Sequence, residues 1–511
     1  MKKIIITIFS ILIFSNAFSQ SNTLYFNTKV FQSNDLNPAR QLDCNVTIGL
    51  PVLSSAYINY TNKIFSFNDF FFENPLLPDT ARFVPNIDTF YNNLKPLNFL
   101  FIQNRESLGN LAFRVHGFQI SISGGINIEQ SLAVPKSMFS IIDGNYFEDG
   151  RYFSVTDLGM QTLAYTDFSI GISKEVIPGL VVGGKIKFLR GLANLSLSNF
   201  KLDWHVSTED TANYEWALNT SYIIQESNNA IKIVPTFDST GMINGIETQQ
   251  NQLLENGDNV GFAKENLLHQ NFGIGFDFGV IYTWNNMVEL SASVLDLGFI
   301  KWTSNPLTVQ AAEKELTFSG LDPGAYLGNT NIFTLIKDKD LKDSLNSQMI
   351  SDLTDTAIQL LNPSISDESY KTKLNTKLHF GAAYTQFDWL SAGFLYNGYL
   401  YNGKLYSSYT LASTLKFWRG WSYSLSYTMF SHNYNNLGMG ISYKLGPFLT
   451  YLQMDNISPI AFATRYALFP DKPYNEGVAT KWLKSTQYLT LHFGINFVFG
   501  CKNKKDYGLI D

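Results

Sequence analysis

The chain has little cysteine, little charge and no long apolar run, and each shortage removes a class of protein. Two cysteines in 511 residues, Cys44 and Cys501, are too few for a disulfide scaffold or a zinc module. Charged residues make up 16% of the sequence, below the roughly 25% of ordinary soluble domains. A net charge of −6 gives no basic footprint, which argues against nucleic acid as a partner. No stretch approaches the roughly 20 apolar residues of a membrane-spanning helix. No HExxH, GxSxG, Walker or EF-hand pattern occurs, so no metal, cofactor or hydrolytic motif is indicated.

Aromatic residues, by contrast, reach 15%, with 36 glycines and only 16 prolines. Mean hydropathy is −0.05, the near-cancellation expected when lipid-facing and lumen-facing residues alternate. The segment Tyr488–Phe499 shows that alternation plainly. Leu489, Leu491, Phe493, Ile495, Phe497 and Phe499 share one face, and Thr490, His492, Gly494 and Asn496 the other. A soluble sandwich strand can alternate too, but here the pattern recurs along the chain behind an export signal. Lys2 and Lys3 form its positive region, Ile4–Phe14 its apolar core, and Ala17-Phe18-Ser19 a cleavage site before Gln20. The fold class expected is all-β: a transmembrane antiparallel β-barrel of about 14 strands in the bacterial outer membrane.

Candidate strands fall at 46–60, 109–116, 118–130, 161–174, 179–192, 271–284, 287–300, 375–387, 389–400, 404–417, 421–431, 437–445, 447–454 and 488–499. Their connections sort by parity. One set is uniformly tight, while the alternate set holds every long segment: 61–108, 131–160, 193–270, 301–374 and 455–487. Short periplasmic turns and long extracellular loops are the barrel signature. Asn98–Asn104 is a rival strand that shifts the count. Within 301–374, the spacing of Leu341, Leu345, Met349, Leu353 and Ala357 predicts an amphipathic helix. This division gives a signal peptide at 1–19, a lumenal segment at 20–45, the barrel at 46–500 and a periplasmic tail at 501–511.

The predicted lumen row carries Lys185, Lys187, Asp277, Glu289, Lys377, His379, Lys416, Lys444 and His492. Trp284, Trp389, Trp418 and Trp421 stand at short-turn ends, where an interfacial girdle belongs. Closure sets the first strand antiparallel to the last, so Cys44 and Cys501 become neighbours in an oxidising compartment and form a candidate disulfide. Catalytic readings are poor, since His379 and His492 both point to the lumen and the acids Asp203 and Asp210 with His205 are ordinary loop residues. The expectation is a non-enzyme.

Before the first strand, Gln20–Asp43 contains Leu36-Asn37-Pro38-Ala39-Arg40. Asn-Pro alone also starts ordinary turns. With its position and the strand count, the chain resembles the FadL-type family of outer-membrane channels for hydrophobic compounds, whose N-terminal hatch carries an Asn-Pro-Ala motif. Leu36–Ala39, Ile48-Gly49-Leu50-Pro51, Lys187–Gly191 and Ser293–Ile300 also resemble a group of Bacteroidota outer-membrane barrels. Relatives in the wider set include a shuttle subunit of the type IX secretion pathway. The resemblance implies a hatch formed by Asn37, Pro38 and Ala39, and either a hydrophobic small molecule or a secretion-system protein as partner, beside outer-membrane lipid. If Gln20–Asp43 enters the lumen, Lys377 and Lys444 are candidate neighbours for Asp35 or Asp43. A barrel-embedded hydrolase is the remote alternative.

Overall fold

The structure is a computed structural model that describes residues 22–27, 29–64, 71–73, 83–85, 87–143, 152–207, 215–228, 231–237, 243–250, 271–318, 363–387, 389–401, 403–416, 420–430, 433–456 and 488–501. The export signal, the 341–360 helix and Trp418 lie outside these residues.

Fourteen antiparallel strands form a closed ring. β1 is in two parts, Cys44–Gly49 and Ala56–Asn62. The next six are β2 (Leu97–Val115), β3 (Phe118–Pro135), β4 (Gly159–Ile177), β5 (Leu180–Ser207), β6 (Phe272–Trp284) and β7 (Val288–Trp302). The ring continues through β8 (Lys377–Phe387), β9 (Leu390–Tyr401), β10 (Lys404–Leu415) and β11 (Trp421–Phe430). β12 (Asn433–Leu445), β13 (Phe448–Asp455) and β14 (Tyr488–Cys501) complete it. Each strand pairs with its neighbour in sequence, and β14 pairs back onto both parts of β1, at Val46↔Phe499 and Ala56↔Phe493.

Alternation explains the wall. Along β6, Phe272, Phe278 and Tyr282 are exposed while Asn271 and Asp277 are buried. Along β14, Phe493, Ile495 and Phe499 point out while His492 and Asn496 are buried. The exposed residues make an apolar belt around the barrel, the surface a bilayer requires. Trp421 stacks on Tyr443 at 4.2 Å and Trp389 on Phe387 at 5.5 Å, both at the short-turn rim.

Three details differ from the sequence expectation. Asn98–Asn104 is the upper half of β2, which pairs with β3 from Val115↔Phe118 up to Leu97↔Pro135, so the rival strand adds nothing to the count. A bulge at Leu108–Gly109, with Gly109 at φ 121°, breaks the alternation and hides this continuity. β1 is interrupted at 50–55, where Val52 takes φ 64° and its N–H donates to the Ser107 carbonyl at 2.7 Å. The described α-helix, Ile87–Asn93, lies in the β1–β2 connection and was not foreseen.

The long connections gather at one end. There β5 runs on to Ser207 and pairs with Glu215–Ser227, which pairs in turn with Pro306–Phe318. At the opposite end, Cys44 and Cys501 are register partners and are joined at an S–S distance of 2.06 Å. Both are terminal residues of their strands, so the bond lies on the seam of the ring.

Two outcomes follow. Phe278→Arg, about six residues above the short turn, should cost roughly 2–4 kcal/mol, whereas Thr450→Arg at the rim should cost at most about 1. Heat-modifiable gel mobility and denaturant unfolding check this, and equal losses would refute the assigned depth. Cys44→Ser should lower the unfolding free energy by about 2–5 kcal/mol. Wild-type unfolding in the variant would show that strand pairing alone holds the seam.

Candidate functional site

In the short-turn half of the lumen, residues 22–27 and 29–42 of the chain itself lie against the inner wall. Two short 3₁₀ turns, Asn22–Leu24 and Phe31–Asp35, shape this segment. Such irregular backbone leaves polar groups that must find partners when buried, and the wall supplies them. The Asn22 backbone N–H donates to Asp455 at 3.1 Å, and the Thr23 hydroxyl contacts both Asp455 and Ser426. Tyr25 donates to Ser291 at 3.0 Å, and Gln32 to the Ser54 carbonyl at 2.9 Å. Asn496 donates to Gln32 at 3.1 Å.

Asn37, Pro38 and Ala39 press on the inner wall between β5, β6 and β7. The Asn37 side-chain amide donates to the Val280 and Ala292 carbonyls at 3.4 and 3.3 Å. Its oxygen accepts from the Ala39 N–H at 3.0 Å, which closes a local turn. The approach is close because Gly183 and Gly279 have no side chain. A Cβ at Gly183 would meet Ala39 N at 2.6 Å, and one at Gly279 would meet Pro38 Cδ at 2.9 Å. Arg40, 3% exposed, donates to both oxygens of Glu289 at 2.7 and 2.8 Å. Lys185 donates to Asp35 at 2.7 Å. Burial alone would raise the Asp35 carboxyl, but Lys185, with Arg105 and Lys187 nearby, outweighs it and holds the group below its ordinary range. That pairing stabilises the segment above the ordinary carboxylate range and is lost as pH falls through the depressed value.

A charged layer lies above the segment. Lys187 sits between Asp277 at 2.8 Å and Asp296 at 2.5 Å, and Lys377 reaches Asp296 at 3.0 Å and Glu129 at 3.9 Å. Arg105 pairs with Asp167 at 2.6 Å, and Asn127 bonds the same carboxylate. Between this layer and the segment is a cleft of about 100 Å³ with mixed lining, including Leu24, Gln32, Asp35, Arg105, Lys187 and His492.

Higher still the lumen turns aromatic. Phe99, Phe101, Tyr399, Tyr401 and Tyr406 form one buried cluster, with Phe99 and Tyr406 ring centroids 4.6 Å apart. Leu163, Tyr165, Leu189, Ile300, Trp302 and Tyr370 form a second. The lumen therefore has three levels: chain-filled, charged and aromatic.

The sequence-derived residues map onto this scheme unevenly. Lys185, Lys187, Asp277, Glu289 and Lys377 all contribute to the ion pairs. Asp35 is held by Lys185, not by Lys377 or Lys444 as expected, because Lys377 is engaged higher up by Asp296. Lys416 and Lys444 are half-buried near the short-turn rim. His492 Nε2 lies 2.8 Å from Ser55 Oγ and 3.2 Å from the Tyr451 hydroxyl, and His379 Nδ1 is 3.2 Å from Ser293 Oγ. These contacts tie strand to strand across a buried interface. Asp203 is nearly buried beside Ser154, while Asp210 is outside the described residues. Among the described residues no group of acids, histidines and cysteines is arranged to hold a metal.

Four charged residues of the layer were not singled out in sequence. Glu129 and Asp167 follow from alternation in β3 and β4. Arg105 lies between the candidate strand 109–116 and the rival Asn98–Asn104, above the Leu108–Gly109 bulge, and Asp296 sits in a bulge of β7 at φ 59°.

The model of a family of unknown function, DUF5723, matches residues 38–455. The chain belongs to that family. No curated protein matches. Among solved structures, the Ralstonia pickettii toluene transporter TbuX is 8% identical, with 92% of this chain and 94% of that one covered, at a TM-score of 0.36. A Pseudomonas aeruginosa FadL homologue is 11% identical, covering 95% and 100%, at 0.38. The CymD monoaromatic hydrocarbon channel is 9% identical, covering 92% of each, at 0.36. Likeness at that level leaves the lumen's chemistry to be argued from its own residues.

Removing one partner of a buried ion pair strands the other. Glu289→Ala should therefore loosen residues 22–42 by up to about 3 kcal/mol while the barrel keeps its gel mobility. Protease access to that segment reads the effect, and unchanged protection would show that Arg40 does not anchor it.

Proposed function

We propose that the protein is an outer-membrane barrel that binds and admits hydrophobic small molecules, with residues 22–42 as a resident stopper. One observation carries this reading: the buried aromatic clusters that line the upper lumen above the charged layer. Concave apolar walls with a few placed polar groups are how small-molecule sites are built. Here Ser131 and Asn194, each bonded to a tyrosine hydroxyl at 2.8 and 2.9 Å, supply such groups. A ligand collected there meets the charged layer and then the stopper. Passage requires the segment to move, since Asn37 and Pro38 rest directly against the wall.

A second reading, an interaction protein that supports secretion or surface assembly without solute flux, draws on a different observation. The ion pairs of Lys185, Lys187 and Lys377 span the mid-lumen in the manner of a static core.

One experiment separates the two. Wild type, a deletion of residues 22–36, and Phe101→Ala/Tyr399→Ala are compared for bilayer conductance and for binding of a hydrophobic fluorescent probe. The channel reading expects the deletion to raise conductance by at least tenfold and the double variant to weaken probe binding severalfold. If conductance stays flat and probe binding is equal in all three, while a protein that co-purifies with wild type is lost from the deletion, the second reading replaces the first.

A further inference from the structure

The outer wall holds a feature that the lumen does not account for. In β5, Lys185, Lys187 and Leu189 point inward, which turns Ile186, Phe188 and Arg190 toward lipid. A lipid-facing arginine is costly unless it is near an interface. Arg190 lies 11 residues above the turn at Gly179, or about 28 Å along the barrel axis at ordinary rise and tilt. The apolar band is about 25 Å tall, so the guanidinium is at its upper rim, on the long-connection side. Its Nε and Nη2 are buried and have no hydrogen-bond partner. The Phe272 ring stands 6.0 Å from its Cζ, which shields the charge without satisfying those donors.

Directly below Arg190 is a groove in the belt. Leu108, Ile122, Thr166, Phe168, Phe188 and Phe272 line it. It exists because Gly124, on the outward face of β3, has no side chain to fill it, and because the β2 bulge at Leu108–Gly109 displaces the wall beside it. The groove thus offers an apolar trough within the belt and an unsatisfied cationic donor at its top. On the same cross-strand row, Glu106 lies three strands away from Arg190, at roughly 14 Å. An anionic head is therefore drawn to the Arg190 side.

We infer that this groove is a binding site for a phosphate-bearing membrane lipid, with an acyl chain along Leu108, Phe168 and Phe188 and the phosphate at Arg190. The charge complementarity fixes the head group, and the continuity of the groove with the lipid-facing belt fixes the occupant as a lipid rather than a soluble anion. Guanidinium donors match phosphate oxygens in bidentate geometry.

Native mass spectrometry of the full chain in a neutral maltoside detergent tests this, with dioctanoyl phosphatidic acid as the probe. Dioctanoylglycerol and inorganic phosphate are the controls for chain alone and anion alone. The expected result is a phosphatidic acid adduct at least tenfold weaker in Arg190→Gln, intermediate in Arg190→Lys, which keeps the charge but not the bidentate fork, and not reproduced by either control. Phe168→Ala removes groove wall without touching charge and should weaken the adduct severalfold. It also decides the matter if Arg190→Gln does not fold. Equal adducts in wild type and folded Arg190→Gln would overturn the site, as would an undiminished adduct in Phe168→Ala. Binding of inorganic phosphate as tight as that of the lipid would overturn the lipid as occupant.

Discussion

Lipid offers no hydrogen bonds, so each N–H and C=O within the belt must be paired inside the wall. That one constraint closes β14 onto β1 and forces a period of two on every spanning strand. It also sorts chemistry into an apolar outside and a polar inside. The irregular places are informative because they are the exceptions. At residues 50–55 the β1 ladder is broken, and the freed groups are taken up by Ser107, Leu53–Ile495 backbone pairing and the Gln32 side chain. A break in the wall is thus bonded to the segment inside the barrel, and the two are parts of one hydrogen-bonded unit.

The same sorting makes the lumen a place where charges must answer one another. Lysines at 185, 187 and 377 and Arg105 face Asp35, Glu129, Asp167, Asp277 and Asp296. Most of these groups are nearly inaccessible to solvent, where an unpaired charge is expensive. Pairing of this density suits a lumen that rests closed. It also means that no single lysine can be assigned a binding role by its presence alone, since each already has a carboxylate.

How much of this was legible in the sequence follows from the period. Strict alternation in β6, β12 and β14 gave both the strands and their faces, and loop length sorted by parity gave the up-and-down order. Alternation failed where a bulge consumed an extra residue, at Leu108–Gly109 and at Asp296, and there Arg105 and Asp296 escaped notice. The pairing of Asp35 was beyond sequence because it depends on how high an aperiodic segment climbs in the lumen. Even so, the Asn-Pro-Ala run fell where the wall offers two facing glycines, Gly183 and Gly279. Their meaning as seats for a backbone emerges only from the folded register. Arg190 is the opposite case: its outward parity was readable from Lys185 and Lys187, but the groove below it depends on Gly124 of another strand.

The disulfide constrains how the lumen can open. Cys44 begins β1 and ends the segment, so the bond to Cys501 fixes the segment's exit point on the barrel seam. Next to it, Leu42 and Arg40 are bonded to Gln119, Arg114 and Glu289. Movement therefore cannot begin at the tied end without breaking a covalent link or a buried ion pair. On the channel reading it begins at Asn22–Gln32, where hydrogen bonds hold the segment to Asp455 of β13, Ser426 of β11 and Ser54 in the β1 break. Giving up such hydrogen bonds costs about 1–3 kcal/mol each, most for those to the Asp455 carboxylate, whereas breaking the Arg40–Glu289 or Lys185–Asp35 pair leaves a charge without its partner. Under the channel reading proposed above, the segment is held at its β1 end and releases from the other.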